Sequence, residues 1–122
     1  RWSLDDATVH AQAAQIARDI RHVQMLAMSQ GRTLTFQSLG NGYRCTDAAS
    51  AVITDPAAQQ PFNVSLSDGV SLSAGSISFD SLGRPVSGGN PIASATAYSV
   101  AGAAQSASIT IAPVTGFVAV NP

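Results

Sequence analysis

Hydrophobic positions in the first thirty residues recur at helical spacing. Trp2, Val9, Ala13, Ile16, Ile20, Val23 and Ala27 are spaced 7, 4, 3, 4, 3 and 4 residues apart, which at ~100° per residue places them in one narrow stripe. Ala11, Ala14, Arg18, Arg21, His22 and Met25 fall on the opposite side. Ser3, Asp5 and Asp6 supply a cap and favourable charge at the start, and Gly31 ends the pattern with Arg21 and Arg32 near the last carbonyls. The spacing predicts a helix from about Leu4 to Gln30, ~40 Å long. Its stripe, Val9, Ala13, Ile16, Ile20, Val23 and Ala27, covers a sheet. The other side, with Ala11, Ala14 and Ala17, is smooth enough to pack on a second helix, though helix propensity explains its small residues at least equally well.

After Gly31 the period changes to two. Leu34 and Phe36 alternate with Thr33, Thr35 and Gln37, and Asn41-Gly42 reads as a tight hairpin turn because both residues tolerate positive φ. A two-residue loop there pairs Ser38 with Cys45 and turns Cys45 inward beside Phe36, as a buried thiol in preference to a reactive one. A short strand at Ala51–Thr54 lies in a connection broken by Pro56 and Pro61. Phe62, Val64 and Leu66 alternate, Asp68-Gly69 turns, and Val70 and Leu72 alternate again. Ile77–Phe79 is a strand closed by Asp80-Ser81-Leu82-Gly83, Gly88 to Pro91 a loop, and Ala95–Ala101 a weaker strand. At the end, the four residues Pro113 to Gly116 form a loop that pairs Ile111 with Val118 and Ile109 with Val120. The fold class is α+β, a long amphipathic helix packed on antiparallel sheet. The chain reads as one domain, residues 1–30 helix and 31–122 a β-rich head.

Composition narrows the function. Of 122 residues, 28 are Leu, Ile, Val or Phe, enough for a single core. There is no Lys and no Glu, and six Arg against seven Asp leave a net charge of −1. That balance gives no electrostatic drive toward nucleic acid, and the last thirty residues carry no basic residue at all. A lone Cys45 excludes a disulfide within the chain and any multi-cysteine metal site. No apolar run is long enough to span a bilayer.

Candidate chemistry is sparse. His10 and His22, twelve residues apart on one helix, are read as exposed and too far apart around it to act together. Without Glu, the zinc-protease helix motif and the EF-hand ligand set cannot form. None of the 16 serines sits in a Gly-x-Ser-x-Gly elbow. Gly40-Asn41-Gly42 lies between two strands, the wrong context for a dinucleotide loop. The Asp residues fit turns and the helix start. No cofactor, small-molecule substrate or metal is expected, and the chain does not read as an enzyme. Tyr43 and Tyr98 are the candidates for an exposed aromatic platform if the chain were instead a soluble periplasmic sugar-binding domain.

The order of three segments carries a resemblance. A helix ending in "VQMLAMSQGRTLTF", a central "ISFDSLGRPV" and a closing "ITIAPVTGFVAV" resemble the type IV pilin-like superfamily, in the group of minor pilins and the H-type pseudopilins of type II secretion. Thr115-Gly116-Phe117, with Ser81 to Pro85 upstream, looks most like a minor pilin of the mannose-sensitive haemagglutinin pilus. The resemblance implies a membrane-embedded helical half preceding Arg1, with a methylated N-terminus, that becomes the packed core of a filament. It implies partners among other pilin subunits through the helix, with Ala11, Ala14, Arg18, Arg21 and Met25 as the assembly face. It also implies an inner-membrane anchor upstream, and passage from the Gram-negative inner membrane and periplasm to an extracellular pilus used for attachment. A secretion pseudopilin and a DNA-uptake minor pilin are the alternatives.

Overall fold

No Gly or Pro interrupts residues 4–30, so the helical period runs unbroken through them. In a computed structural model, which describes residues 4–121 with side chains from Ala7 onward, α1 spans Leu4–Gln30. Trp2 and Ser3, and the side chains of Asp5 and Asp6, lie outside the described residues. Val9, Ala13, Ile16, Ile20, Val23 and Ala27 are each 0% exposed. Ala17 joins them on the buried side instead of smoothing the outer one, as do Leu26 and Gln12. The helix ends as a Schellman turn: the Arg32 amide donates to Ala27 O and the Gly31 amide to Met28 O. No basic residue stands in the last turn, so the expected charge complement from Arg21 is absent there.

The strands form two main sheets. The first orders β5 (Asn63–Ser65), β2 (Gly42–Thr46), β1 (Leu34–Ser38), β7 (Gly75–Phe79), β8 (Pro85–Ser87) and β9 (Asn90–Pro91). The second orders β12 (Val118–Asn121), β11 (Ser106–Ile111), β10 (Thr96–Ala101) and β6 (Ser71–Leu72). A small pair, β3 (Thr54–Asp55) and β4 (Gln60–Pro61), stands apart. Every paired register is antiparallel. The helix packs against β1 and β7 of the first sheet and β10, β11 and β12 of the second. One continuous apolar cluster therefore fills the space where the two sheets meet beneath it.

Three details depart from the sequence expectations. The first hairpin pairs Phe36 with Cys45 and Ser38 with Tyr43, two residues out of the predicted register. Its turn is Gly40-Asn41, with Gly40 at φ 89° and Asn41 not in the positive-φ region. A turn that needs positive φ only at its first central position uses Gly40, leaving Gly42 to enter the strand. Gly42 is required there for another reason, since a Cβ would stand 2.4 Å from Val64 O on β5. A shift of two keeps every side chain on its face, so Cys45 is still buried, and burial pushes its thiol up to about 12. Such a group is a core atom at neutral pH and not a nucleophile.

The other two departures concern the connections. Strand pairing at 51–54 is reduced to one bridge at Val52, with β3 starting at Thr54. The expected loop from Gly88 to Pro91 is the turn and second strand of a short hairpin, β8–β9. Pro91 sits in the edge strand β9, where its missing N–H costs no internal ladder bond.

Tyr43 and Tyr98 are 0% and 2% exposed, so neither is the surface platform considered from the sequence. Each closes an aromatic contact with Phe36, but their hydroxyls differ. Tyr43 Oη donates to Asp19 Oδ2 on the helix at 2.5 Å. Tyr98 Oη is buried without a hydrogen-bond partner among the described residues. Burial raises both phenols, and the Asp19 carboxylate raises Tyr43 further. Tyr43→Phe is expected to cost about 1–3 kcal/mol because it orphans a bond to a charged acceptor. Tyr98→Phe, which removes an unpaired hydroxyl, should leave stability unchanged or raise it by up to about 1 kcal/mol. Urea melts of the two variants side by side check the contrast, and equal losses would contradict it.

Candidate assembly interface

Helix α1 is fastened along both edges of its buried stripe by polar contacts that come from distant parts of the chain. On one edge, Gln12 Oε1 accepts from the Ser67 amide at 2.7 Å, Asp19 accepts from Tyr43, and His22 Nε2 meets Asp55 Oδ1 at 2.9 Å. On the other, Arg21 donates to Val118 O at 3.0 Å and Gln24 Nε2 donates to both Gly83 O and Thr115 O, at 2.8 and 2.9 Å. A helix held this way has a defined rotation on the sheets, and that rotation decides which side faces out.

The outward strip runs through Ala7, Ala11, Arg18 and Met25, all exposed, with Ala14 half-buried. Next to it lies an apolar patch built around Gln24. Met25 and Met28 on the helix are 53% and 54% exposed, and Leu82, Val114 and Phe117 on the two turns that Gln24 holds are 67% or more exposed. These turns come close because of two glycines. A Cβ on Gly83 would stand 2.7 Å from Met28 Sδ, and one on Gly116 2.6 Å from Gln24 Nε2, both on backbones with positive φ. Among the described residues no cluster of His, Cys and Asp could hold a metal ion. Nor is any described helix long and apolar enough to cross a membrane.

No protein-family model matches the sequence, and no curated protein matches it. Solved structures do match. The type IV minor pilin FimU of Pseudomonas aeruginosa superposes with a TM-score of 0.70 at 15% identity, covering 93% of this chain and 88% of that one. A second crystal form of FimU gives a TM-score of 0.68. The minor pseudopilin EpsH from the Type 2 Secretion System of Vibrio cholerae gives 0.66 at 12% identity, covering 93% of this chain and 95% of that one. This is the pilin fold.

Within the pilin fold, the residues expected on the assembly face divide. Ala11, Arg18 and Met25 point outward, Ala14 lies at the edge of the strip, and Arg21 is drawn to the sheet by Val118 O. His22, expected to be an exposed helix histidine, is half-buried between Asp55 and the Phe62 ring, 5.7 Å away centroid to centroid. It ties the β3–β4 arm to the helix. Gln24 carries no signal in the sequence, since a mid-helix Gln is ordinary. Its role comes from two turns, "DSLG" and "PVTG", which both fold back onto it.

The Asp55 carboxyl is subject to opposing effects. Desolvation raises it, but the His22 hydrogen bond and the Ala57 and Ala58 amides together outweigh that, and the net shift is downward. Asp80 behaves likewise: desolvation raises it, while the amides of Arg84 and Leu82 and the Arg84 guanidinium lower it more. A carboxyl depressed in the folded state stabilises above its unfolded value of ~3.9, and that contribution is lost as pH falls through the folded value. Thermal stability is therefore expected to hold down to about pH 4 and to fall below it. The fall should be smaller in Asp55→Asn than in the parent. A melt series from neutral to strongly acid pH measures it, and identical slopes would show that Asp55 takes no part.

Proposed function

We propose that this chain is a non-enzymatic minor subunit of a type IV-like filament, assembling with other pilin subunits through the outer strip of α1. The observation that carries this reading is the pairing of a pilin fold over 93% of the chain with a helix whose outward side, apart from Arg18, is small or apolar. Ala7 and Ala11 let a neighbouring helix approach closely, and Met25 offers an adaptable contact at the end of the strip. The Thr115-Gly116-Phe117 hairpin and the Ser81 to Pro85 turn favour a minor pilin of the mannose-sensitive haemagglutinin type, placed in the shaft or tip of a pilus used for attachment. Its anchor would be a membrane-embedded helical segment upstream of Arg1. Deleting the gene is expected to reduce surface filaments and adhesion. Unchanged filament number, adhesion and subunit composition would overturn the proposal.

A secretion pseudopilin is the second reading, favoured by the 95% coverage of the pseudopilin EpsH. Deletion would then abolish enzyme export with pili intact. DNA uptake is disfavoured by the net charge of −1 and the uncharged last thirty residues. Retention of DNA in a low-salt gel shift would revive it.

A further inference from the structure

The first sheet has a second face, turned away from the helix, and it is not flat. On it, three neighbouring strands align two rows of hydrogen-bonding side chains in register. Thr46, Thr35 and Ser78 form one row across β2, β1 and β7, and Arg44, Gln37 and Ser76 form the next. The turn from Asp47 to Ser50 makes one wall and the Gly88-Gly89 turn of β8–β9 the other, enclosing a trough of about 420 Å³. That volume is in the range of small-ligand sites, ~300–1,000 Å³, but the lining differs from the usual apolar one. No aromatic and no large aliphatic residue lines it.

The floor is ordered. Thr35 Oγ1 and Ser78 Oγ are 2.7 Å apart, and Arg44 Nε donates to Gln37 Oε1 at 2.7 Å. This holds the Arg44 guanidinium by its inner edge and leaves the fork of its terminal nitrogens for another partner. Arg44 takes part in none of the ion pairs among the described residues. Asp47, the carboxylate on the wall, is already engaged. Its Oδ1 accepts from the Ala49 and Ala51 amides, and its Oδ2 faces Arg32 at 3.7 Å. The opposite wall is two glycines with open space where side chains would be.

A guanidinium fork without a carboxylate calls for a planar oxyanion. A grid of hydroxyl and amide groups around it calls for a ligand with several hydroxyls of its own. The lack of an aromatic surface argues against a neutral sugar held by stacking. We propose that this trough binds a hydroxylated carboxylate of the sugar-acid class, its carboxylate on Arg44 and its hydroxyls on the Thr, Ser and Gln rows. This site lies on the sheet face opposite the helix strip, so its occupancy does not depend on the filament reading and would stand if that reading failed.

The test is an amide-resolved NMR titration of the chain with D-glucuronate, with D-glucose and acetate as the two halves of the ligand. The expected result is a saturable shift at β1, β2 and β7 with glucuronate, in the millimolar range for a solvent-open site, and weaker binding of either half. Arg44→Gln should weaken glucuronate binding roughly tenfold or more. Ser76→Ala, at an exposed position whose side chain makes no hydrogen bond among the described residues, should weaken it by a smaller factor while its melt matches the parent. Acetate binding as tightly as glucuronate would reduce the trough to a bare oxyanion contact and overturn the proposal. So would glucose binding as tightly, undiminished binding in Arg44→Gln, or no saturable shift at all.

Discussion

Replacing Phe36 with alanine is expected to lower the free energy of unfolding by about 3–5 kcal/mol. Phe36 is 0% exposed and lies on β1, inside the six-stranded sheet, opposite Cys45 on β2 and Ile77 on β7. Its ring stands 5.1 Å from Tyr43 and 5.5 Å, edge-on, from Tyr98. It therefore joins the first sheet to the second through Tyr98. Removing it leaves a cavity that neither rigid neighbour can fill, and forfeits two aromatic contacts of about 0.5–1.5 kcal/mol each. Against a total of about 5–15 kcal/mol for a domain of this kind, such a loss brings the chain near the edge of folding. Urea denaturation measures it as a shifted midpoint at unchanged slope. A loss below about 1 kcal/mol would mean that the ring does not bridge the sheets as described.

The second large effect separates assembly from stability. In Ala11→Glu with Met25→Glu, both substitutions fall at exposed positions of the outward strip, where Glu is nearly as good a helix former as Ala. Stability is expected to stay within about 0.5 kcal/mol of the parent for each change. Between packed helices the same carboxylates would be buried without partners, at a cost of several kcal/mol. Since about 1.4 kcal/mol is a factor of ten in association, incorporation into filaments should fall below detection. Quantifying the subunit in sheared filaments, beside a thermal melt of the purified chain, reads both arms. Normal melting with normal incorporation would show that the strip is not where subunits meet.

The two cases also differ in how far the chain announced them. The helix bounds, Leu4 to Gln30, and the closing hairpin that pairs Ile109 with Val120 follow from periodicity and turn residues a few positions apart. Such local signals act before any tertiary contact exists, so they are readable in one dimension. Tyr43 and Tyr98 were less legible, because a tyrosine's polar tip makes it equally at home on a surface or in a core. Two buried aromatic neighbours decide for the core here. The first hairpin was legible in face but not in register. Gly-Asn-Gly offers two possible turns, and the close approach of β5 to Gly42 selects between them.

What the sequence by itself determined is the α+β order, the buried stripe of α1, the inward face of Cys45 and the absence of charge for binding polyanions. Each depends on residue type and short spacing. The tertiary structure alone decided the rotation of the helix, through Arg21, His22 and Gln24. It also decided the meeting of the two glycine turns beneath Gln24, and the trough on the far face of the first sheet. The helix rotation and the paired turns rest on partners 33 to 97 residues away, and a side chain's preference for water or protein says nothing about which distant group it will find. That choice is made only when the core closes and leaves each polar group at its edge the partners within reach.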